Sequence, residues 1–170
     1  MIKLNVEKIK NTPGESIKAD YDVQINELID EGETINLSDN LKINLLAKNT
    51  GSEILVSGKI ETALKMMCGR CLTETDCPID IDFEEIFVHK SKAEYIDNSD
   101  DDIIFFEGNN IHLDQIVAKN IILNMPIRTF CDEECKGICP QCGINLNEEK
   151  CSCVQDNIDP RMEVLKKLLK

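Results

Sequence analysis

The sequence predicts an α+β fold: an antiparallel, meander-like sheet with one packing helix, a Cys-rich zinc-binding tail and a short C-terminal helix. Three observations lead to this prediction. Apolar and polar residues alternate through most of the first ninety residues, apolar residues recur at helical spacing over 113–124, and six cysteines lie between 131 and 153. A period of two is typical of half-buried strands, and a period near 3.6 is typical of a helix with one buried face. At 170 residues the chain can form one ordinary domain with a small appendage, predicted at 1–130 and 131–170.

Five segments carry the strand pattern. Pro13-Gly14 and the run Asn49 to Ser52 are turn signals between them, and the second is typical of a hairpin. Alternation of this kind favours an antiparallel sheet with one solvated face. The predicted strands are 2–9, 17–25, 41–47, 54–64 and 79–83.

The packing helix is predicted over 113–124. Asp114 suits the first turn, where the helix dipole favours a negative charge. Pro126 ends the helix, because the residue before a proline avoids the α region.

A second helix is predicted at the end of the chain, with Asp159 as N-cap and Pro160 at the first helical position. Its apolar residues are Met162, Leu165, Leu168 and Leu169. Its opposite face carries the concentrated basic patch of the chain, and these residues are tentative binding residues for RNA: Arg161, Lys166, Lys167 and Lys170.

The net charge of −13 argues against a nucleic-acid clamp, since a negative field repels phosphate backbones. Residues 80–107 hold ten acids and two lysines, so they contribute −8 of this charge. This stretch is either a solvated loop between strands or a docking surface for a basic partner such as a ribosomal protein.

Nine cysteines raise the question of compartment. The opening residues MIKLNVEKIK alternate charged and apolar side chains, unlike a secretory signal, and no run approaches the ~18 apolar residues of a membrane span. The predicted location is therefore the cytoplasm, where thiols stay reduced. Clustered cysteines there indicate metal or redox chemistry.

The tail carries the strongest metal signal. Cys139-Pro-Gln-Cys142-Gly has the spacing of a zinc knuckle, and Zn²⁺ takes four soft ligands in a tetrahedron. Cys139 and Cys142 supply two ligands. Spacing alone does not choose the other two from Cys131, Cys135, Cys151 and Cys153.

The earlier pair, Cys68-Gly-Arg-Cys71, leaves three alternatives open. It could join two spare tail cysteines in a second zinc site, act as a redox dithiol, or be two small buried residues. A thioredoxin-type dithiol opens a helix in a βαβ unit. Here the pair lies between two predicted strands, which suits a metal-binding turn better.

Four segments resemble the YceD family of large ribosomal RNA subunit accumulation proteins: MCGRCL (67–72), IILNMPI (121–127), CKGICPQCGINLNEEKCSC (135–153) and DPRMEVLKKLL (159–169). The resemblance spans roughly 60–169. It implies a ribosome biogenesis factor needed for accumulation of 23S rRNA. It also draws attention to Cys68, Arg70 and Cys71, because some members keep this motif without the tail cysteines. Arg70 is the residue of that turn that could bind a phosphate or a carboxylate.

The functional prediction is a non-enzymatic assembly factor or adaptor that binds ribosomal proteins or large-subunit precursors, with direct rRNA contact left open. The two histidines and the unpaired carboxylates offer no acid–base arrangement, so we do not expect an enzyme. The alternative is a redox- or metal-responsive zinc regulatory protein, which would act through thiolate oxidation and zinc release.

Overall fold

The computed structural model describes residues 2–30, 32–95 and 103–153. Within these residues the chain forms nine strands, a short 3₁₀ helix at Lys90–Tyr95 and the α-helix α1 at Asp114–Asn124. The strands are β1 (Lys3–Asn5), β2 (Ser16–Val23), β3 (Glu27–Asp30), β4 (Glu33–Asn36), β5 (Leu41–Asn49), β6 (Ile54–Met67), β7 (Glu74–His89), β8 (Ile103–Phe106) and β9 (Asn110–His112). None of the helices in this described part has the length and apolar content needed to cross a bilayer.

The main sheet has five strands in the order β2-β5-β6-β7-β8. All its neighbours are antiparallel except β7 and β8, which run parallel over four residue pairs. The hairpin β3–β4 is inserted between β2 and β5, and β1 pairs with β9 in a separate two-stranded sheet.

The β6–β7 hairpin is the longest element and positions the candidate site. Its register runs from Ile54 opposite Phe87 to Met67 opposite Glu74. Strand β5 accompanies β6 only as far as Glu61, so the last part of the hairpin projects beyond β5. The turn at its tip, residues 68–73, carries the first C-x-x-C pair.

The hydrophobic core lies between the inner face of the main sheet and α1. Alternate side chains of β5 and β6 point into it, which is the burial pattern that period-two alternation predicts. Helix α1 buries Ile116, Val117 and Ile121 against β3 and β7. Gly58 sits where β6 approaches β5 so closely that a Cβ atom would collide with the carbonyl oxygen of Asn44.

The outer face of β7 carries a stripe of carboxylates, because alternate residues of the strand are acidic and point the same way. Lys59 lies 2.7 Å from Asp80, and Lys65 lies 3.7 Å from Glu74. These two lysines leave the stripe with an excess of negative charge. Its members, which we call the acidic stripe, are Glu74, Asp76, Asp80, Asp82 and Glu84.

The predicted α+β class, with one packing helix and a Cys-rich C-terminal region, is confirmed. Helix α1 ends at Asn124 before Met125-Pro126, and β5 and β6 form the predicted hairpin. The predicted strand 2–9 is shorter, because the chain turns after β1. The acidic stretch 80–107 is not one solvated loop, since it includes residues 80–89 of β7, the 3₁₀ helix and β8. The predicted terminal helix and the run 98–102 lie outside the described residues.

Candidate metal centre

Eight of the nine cysteines form two groups of four. Group I joins the hairpin tip to the start of the tail, and group II lies wholly within the tail. In each group the four sulfur atoms lie within 4.8 Å of one another. Group I consists of Cys68, Cys71, Cys131 and Cys135, and group II consists of Cys139, Cys142, Cys151 and Cys153.

The sulfur spacing within both groups fits a tetrahedral zinc ion. A Zn–S bond of about 2.3 Å implies sulfur atoms about 3.8 Å apart along the tetrahedron's edges. In group I the Cys68–Cys135 and Cys71–Cys131 sulfur distances are 3.9 and 3.5 Å. In group II, Cys151 lies 3.5 Å from Cys142 and 3.3 Å from Cys139. A disulfide would hold two sulfurs at about 2.05 Å, and all nine cysteines are free.

The two C-x-x-C turns have the same backbone hydrogen bonds. In the first, the amide of Cys68 donates to the carbonyl of Thr73 at 2.9 Å, and the amide of Leu72 donates to Cys68 at 3.0 Å. In the second, the amide of Cys139 donates to Ile144 at 2.8 Å, and the amide of Gly143 donates to Cys139 at 2.9 Å. The tail knuckle and the hairpin tip are therefore equivalent structures.

The residue that follows the second cysteine of each turn has a left-handed backbone conformation. Gly143 has φ of 76°, and Leu72 takes φ of 59° at the equivalent position. A residue with a Cβ rarely adopts this conformation, because the Cβ crowds the following carbonyl. Leu72 departs from the usual glycine of a zinc knuckle, so the sequence signal of the first turn is weaker.

Backbone amides stabilise the first thiolate of each turn. The N–H of Cys71, with those of Cys131 and Arg70, lowers the pKa of Cys68 to about 6. In group II the N–H groups of Cys142 and Gln141 act similarly and lower the pKa of Cys139 to about 6.

For one further cysteine of each group, contact with neighbouring sulfurs shifts the pKa upward. Contact with Cys71 and Cys135 raises the pKa of Cys131 to about 12. Contact with Cys151 and Cys142 raises the pKa of Cys153 to about 12. Four thiolates this close repel one another, so a fully ionised group calls for a cation among the sulfurs.

The start of the tail is held on the hairpin tip by hydrogen bonds as well as by sulfur. The amide of Gly69 donates to the carbonyl of Thr129 at 2.8 Å, and the Thr129 hydroxyl donates to Met67 at 3.1 Å. The amide of Ile138 donates to the carbonyl of Arg70 at 3.1 Å. These contacts fold the start of the tail back onto the sheet near Cys68.

Arg70 acts as a clamp between the tip and the tail. Its Nη1 donates to the carbonyls of Glu133 at 2.9 Å and Cys135 at 3.1 Å, and its guanidinium lies 4.5 Å from the centre of the Phe130 ring. These contacts give Arg70 a structural role within the site. Its predicted contact with a phosphate or carboxylate of a partner stays a prediction.

All eight cysteines singled out from the sequence lie in these two groups. The arrangement corresponds to one of the three alternatives for Cys68 and Cys71, in which the pair joins two tail cysteines. Cys77 lies apart from both groups on β7, half-buried. The predicted binding residues Arg161, Lys166, Lys167 and Lys170 lie outside the described residues. The residue that sequence reasoning missed is Gly137.

Gly137 lets the tail approach the hairpin tip. Its φ is 76°, and a Cβ there would meet the carbonyl oxygen of Arg70 at 3.0 Å. Gly143 has the same φ, with nothing within 4 Å of its Cβ position. Both substitutions to alanine incur the left-handed backbone cost of about 1 kcal/mol, but only Gly137→Ala adds a clash with backbone.

We expect Gly137→Ala to weaken metal binding in group I by at least about tenfold more than Gly143→Ala weakens it in group II. The clash with Arg70 should add ~1.4 kcal/mol to the cost of Gly137→Ala, and this energy corresponds to a tenfold change in affinity. The measurement is zinc competition against a chromophoric chelator for both variants. Equal losses in the two variants would mean that the approach of Gly137 to Arg70 does not matter for the site.

The fold and the site together define a class: β-rich proteins with two tetracysteine groups of metal-site geometry, one shared between a hairpin tip and the tail and one within the tail. The family model of the large ribosomal RNA subunit accumulation protein YceD matches residues 56–169. The chain belongs to the YceD family, as the resemblance indicated. The matched region starts within β6 and contains both cysteine groups.

Individual relatives extend the match. The chain is 26% identical over 170 residues to the uncharacterized protein YlbN of Bacillus subtilis (strain 168), covering 99% of this chain and 97% of that protein. It is 26% identical over 129 residues to the uncharacterized protein Rv2926c of Mycobacterium tuberculosis (strain ATCC 25618 / H37Rv), covering 76% of this chain and 62% of that protein. No solved structure matches the chain.

A shorter match reaches a plastid protein. Over 53 residues the chain is 36% identical to the large ribosomal RNA subunit accumulation protein YCED homolog 1, chloroplastic, of Arabidopsis thaliana. This match covers 31% of this chain and 16% of that protein.

Proposed function

We propose that this protein is a ribosome biogenesis factor that promotes accumulation of large-subunit 23S rRNA as a non-enzymatic adaptor in the cytoplasm. The observation that carries the proposal is membership of the YceD family over residues 56–169, both cysteine groups included. The adaptor would hold a ribosomal protein or a large-subunit precursor rather than act on RNA chemically.

Each cysteine group would bind one structural zinc ion. Four cysteine sulfurs complete a tetrahedral shell, which is the composition of structural zinc sites, whereas catalytic sites keep one position for water. When bound, zinc would tie residues 131–153 to one another and to the hairpin tip. The role of the metal would thus be to present a surface of fixed shape.

The charge of the described surface supports a protein partner over RNA. The segment 131–153 has five acids against Lys136 and Lys150, and four thiolates around one Zn²⁺ would add −2 at each group. The acidic stripe adds five carboxylates on one strand of the sheet. Such a surface repels phosphates and attracts the basic segments that ribosomal proteins carry.

The experiment is a pull-down of the metal-loaded full chain from native lysate at low and moderate salt, before and after nuclease. Ribosomal proteins and rRNA are both quantified. We expect specific large-subunit proteins to remain bound after nuclease, because the contact is protein to protein. Salt should weaken the binding, since surface charges are screened.

Two outcomes would contradict the proposal. Loss of every partner with the RNA would mean that the basic residues of the C-terminal segment outweigh the global charge. An unchanged ratio of 23S to 16S rRNA in cells depleted of the protein would contradict the proposed role in rRNA accumulation. The redox- or metal-responsive alternative stays a prediction, with peroxide-driven zinc release and altered partner binding as its signature.

A further inference from the structure

Within the part of the chain that the structure describes, the outer edge of β7 is open over most of its length. On one side β7 pairs with β6 from Glu74 to Phe87, and on the other it pairs with β8 only from Ile86 to His89. Among the described residues, no strand pairs with the outer edge between Glu74 and Glu85. An open edge presents a row of backbone donors and acceptors to which an extended segment can add.

Pro78 indicates which residues of β7 direct their amides outward. Proline has no N–H, so its nitrogen must face away from the β6 ladder at the pair with Ala63. Every second residue shares this orientation in an antiparallel pair. The outward amides on the C-terminal side of Pro78 therefore belong to Asp80, Asp82 and Glu84.

The side chains of the same three residues belong to the acidic stripe. Asp80 is paired with Lys59, while the structure gives no ion pair to Asp82 or Glu84 among the described residues. Opposite Glu84 on β6 stands Ser57, which carries no charge. A strand added at this edge would place its own side chains about 5 Å from these carboxylates.

The opposite face of the edge carries Cys77, Ile79 and Ile81 in place of carboxylates. A groove of about 390 Å³ runs between residues 77–81 of β7 and the end of helix α1, where Asn124 is the last helical residue and Pro126 follows the helix. Beside these two residues in the chain, Leu123 is 70% exposed and Ile127 is 99% exposed. Side chains of an added strand alternate between the faces, so one set would meet carboxylates and the other this groove.

We propose that the edge of β7 from Ile79 to Glu85 binds an extended segment of a partner protein in which lysine or arginine alternates with apolar residues. The segment adds to the sheet as a sixth strand. This inference rests on the proposed adaptor function and specifies its contact surface. A second copy of the chain is disfavoured as occupant, because like charges directly opposite destabilise a strand pair. RNA is disfavoured because its phosphates would face the carboxylates.

The test uses the metal-loaded full chain and a seven-residue peptide, the length of residues 79–85, in which lysine alternates with valine. A scrambled peptide of the same composition and a backbone N-methylated version serve as probes of register and of main-chain pairing. Affinity is measured by fluorescence anisotropy. Protection of the amides of Asp80, Asp82 and Glu84 is measured by hydrogen exchange in NMR spectra.

We expect the alternating peptide to bind and to protect these three amides, with affinity lost on scrambling or N-methylation. The double variant Asp82→Asn, Glu84→Gln should bind about tenfold more weakly, because it loses two cross-strand ion pairs with the lysines of the peptide. The matched control is Glu15→Gln, Asp20→Asn, which removes the same two charges just before and within β2, at the opposite edge of the sheet, and should bind normally.

Equal binding of the scrambled or N-methylated peptide would overturn the proposal, since contact would then be electrostatic without strand pairing. An equal loss in both double variants would overturn it too. The pull-down separates this inference from the adaptor function. If both double variants retain ribosomal proteins equally, the adaptor function stands and strand addition at the β7 edge is contradicted. If the peptide binds at the edge but no ribosomal protein is captured, strand addition stands and the adaptor function is contradicted.

Discussion

Removing the metal from the full chain with a strong chelator will unfold residues 129–153 and leave the sheet folded. Within residues 129–153 the buried residues are Cys135, Gly137 and Cys139, and none of them has a large apolar side chain. Such a segment has no hydrophobic core to offset its conformational entropy. Structural zinc contributes about 10–16 kcal/mol per site in small zinc domains, so binding and folding of this segment are the same event.

Two measurements check this expectation. A colorimetric assay on denatured protein should find two zinc ions per chain, one per cysteine group. Hydrogen exchange by mass spectrometry should show that chelation exposes the amides of 129–153 and of the hairpin tip, while those of β5 and the first half of β6 stay protected. Cys77→Ser is the control, because Cys77 lies outside both groups, and it should keep both metals.

An apo protein whose tail keeps its full protection would contradict the structural role of the metal. So would a stoichiometry of one zinc ion, since both groups have the sulfur spacing of a complete tetrahedral site. Restoring zinc should restore protection, because the sheet that supports the hairpin tip stays folded and needs no rebuilding.

Much of the fold could be predicted from the sequence because its elements are amphipathic. Strand β5 buries every second residue, so its alternation is visible in the sequence. Strand β8 is different: IIFF is a continuous apolar run, and such a run carries no period from which a strand can be recognised. The β3–β4 hairpin is held in part by the contact of β3 with α1, which local pattern does not show.

The site was predictable as a set of residues but not as a pairing. Spacing predicts that Cys139 and Cys142 are ligands, but it does not give the distance between the tail and the hairpin tip. That distance is set by contacts of Thr129 with Met67 and Gly69 and by the Arg70 clamp. Tertiary contacts between residues about sixty positions apart therefore decide which cysteines meet.

The second prediction with a large effect separates the two cysteine groups. Cys71→Ser and Cys142→Ser each remove the second cysteine of an equivalent turn, so each should leave one zinc ion per chain. Their structural effects should differ, because group I joins the tail to the sheet and group II closes a loop within the tail. Loss of group I should release the tail from the hairpin tip, whereas loss of group II should loosen only its distal part.

Limited trypsin digestion distinguishes the two variants through sites along the tail. Arg128 directly precedes Thr129, whose contacts hold the tail on the tip, and Lys136 follows Cys135 of group I. Cleavage at these two sites should rise about 100-fold in Cys71→Ser, the factor expected when local opening becomes ~3 kcal/mol easier. In Cys142→Ser the faster cleavage should instead occur at Lys150, which precedes Cys151 of group II.

Cys77→Ser controls for the loss of a thiol, and its digestion pattern should match that of the unchanged chain. The same cleavage pattern in both ligand variants would contradict the division into two independent groups and would indicate one cooperative cluster. Fast cleavage at Arg128 in Cys142→Ser alone would contradict the pairing itself, because group II would then be the one that anchors the tail. The expected asymmetry follows from the topology. Only group I contains cysteines of the β6–β7 hairpin, so only its loss should separate the tail from the sheet.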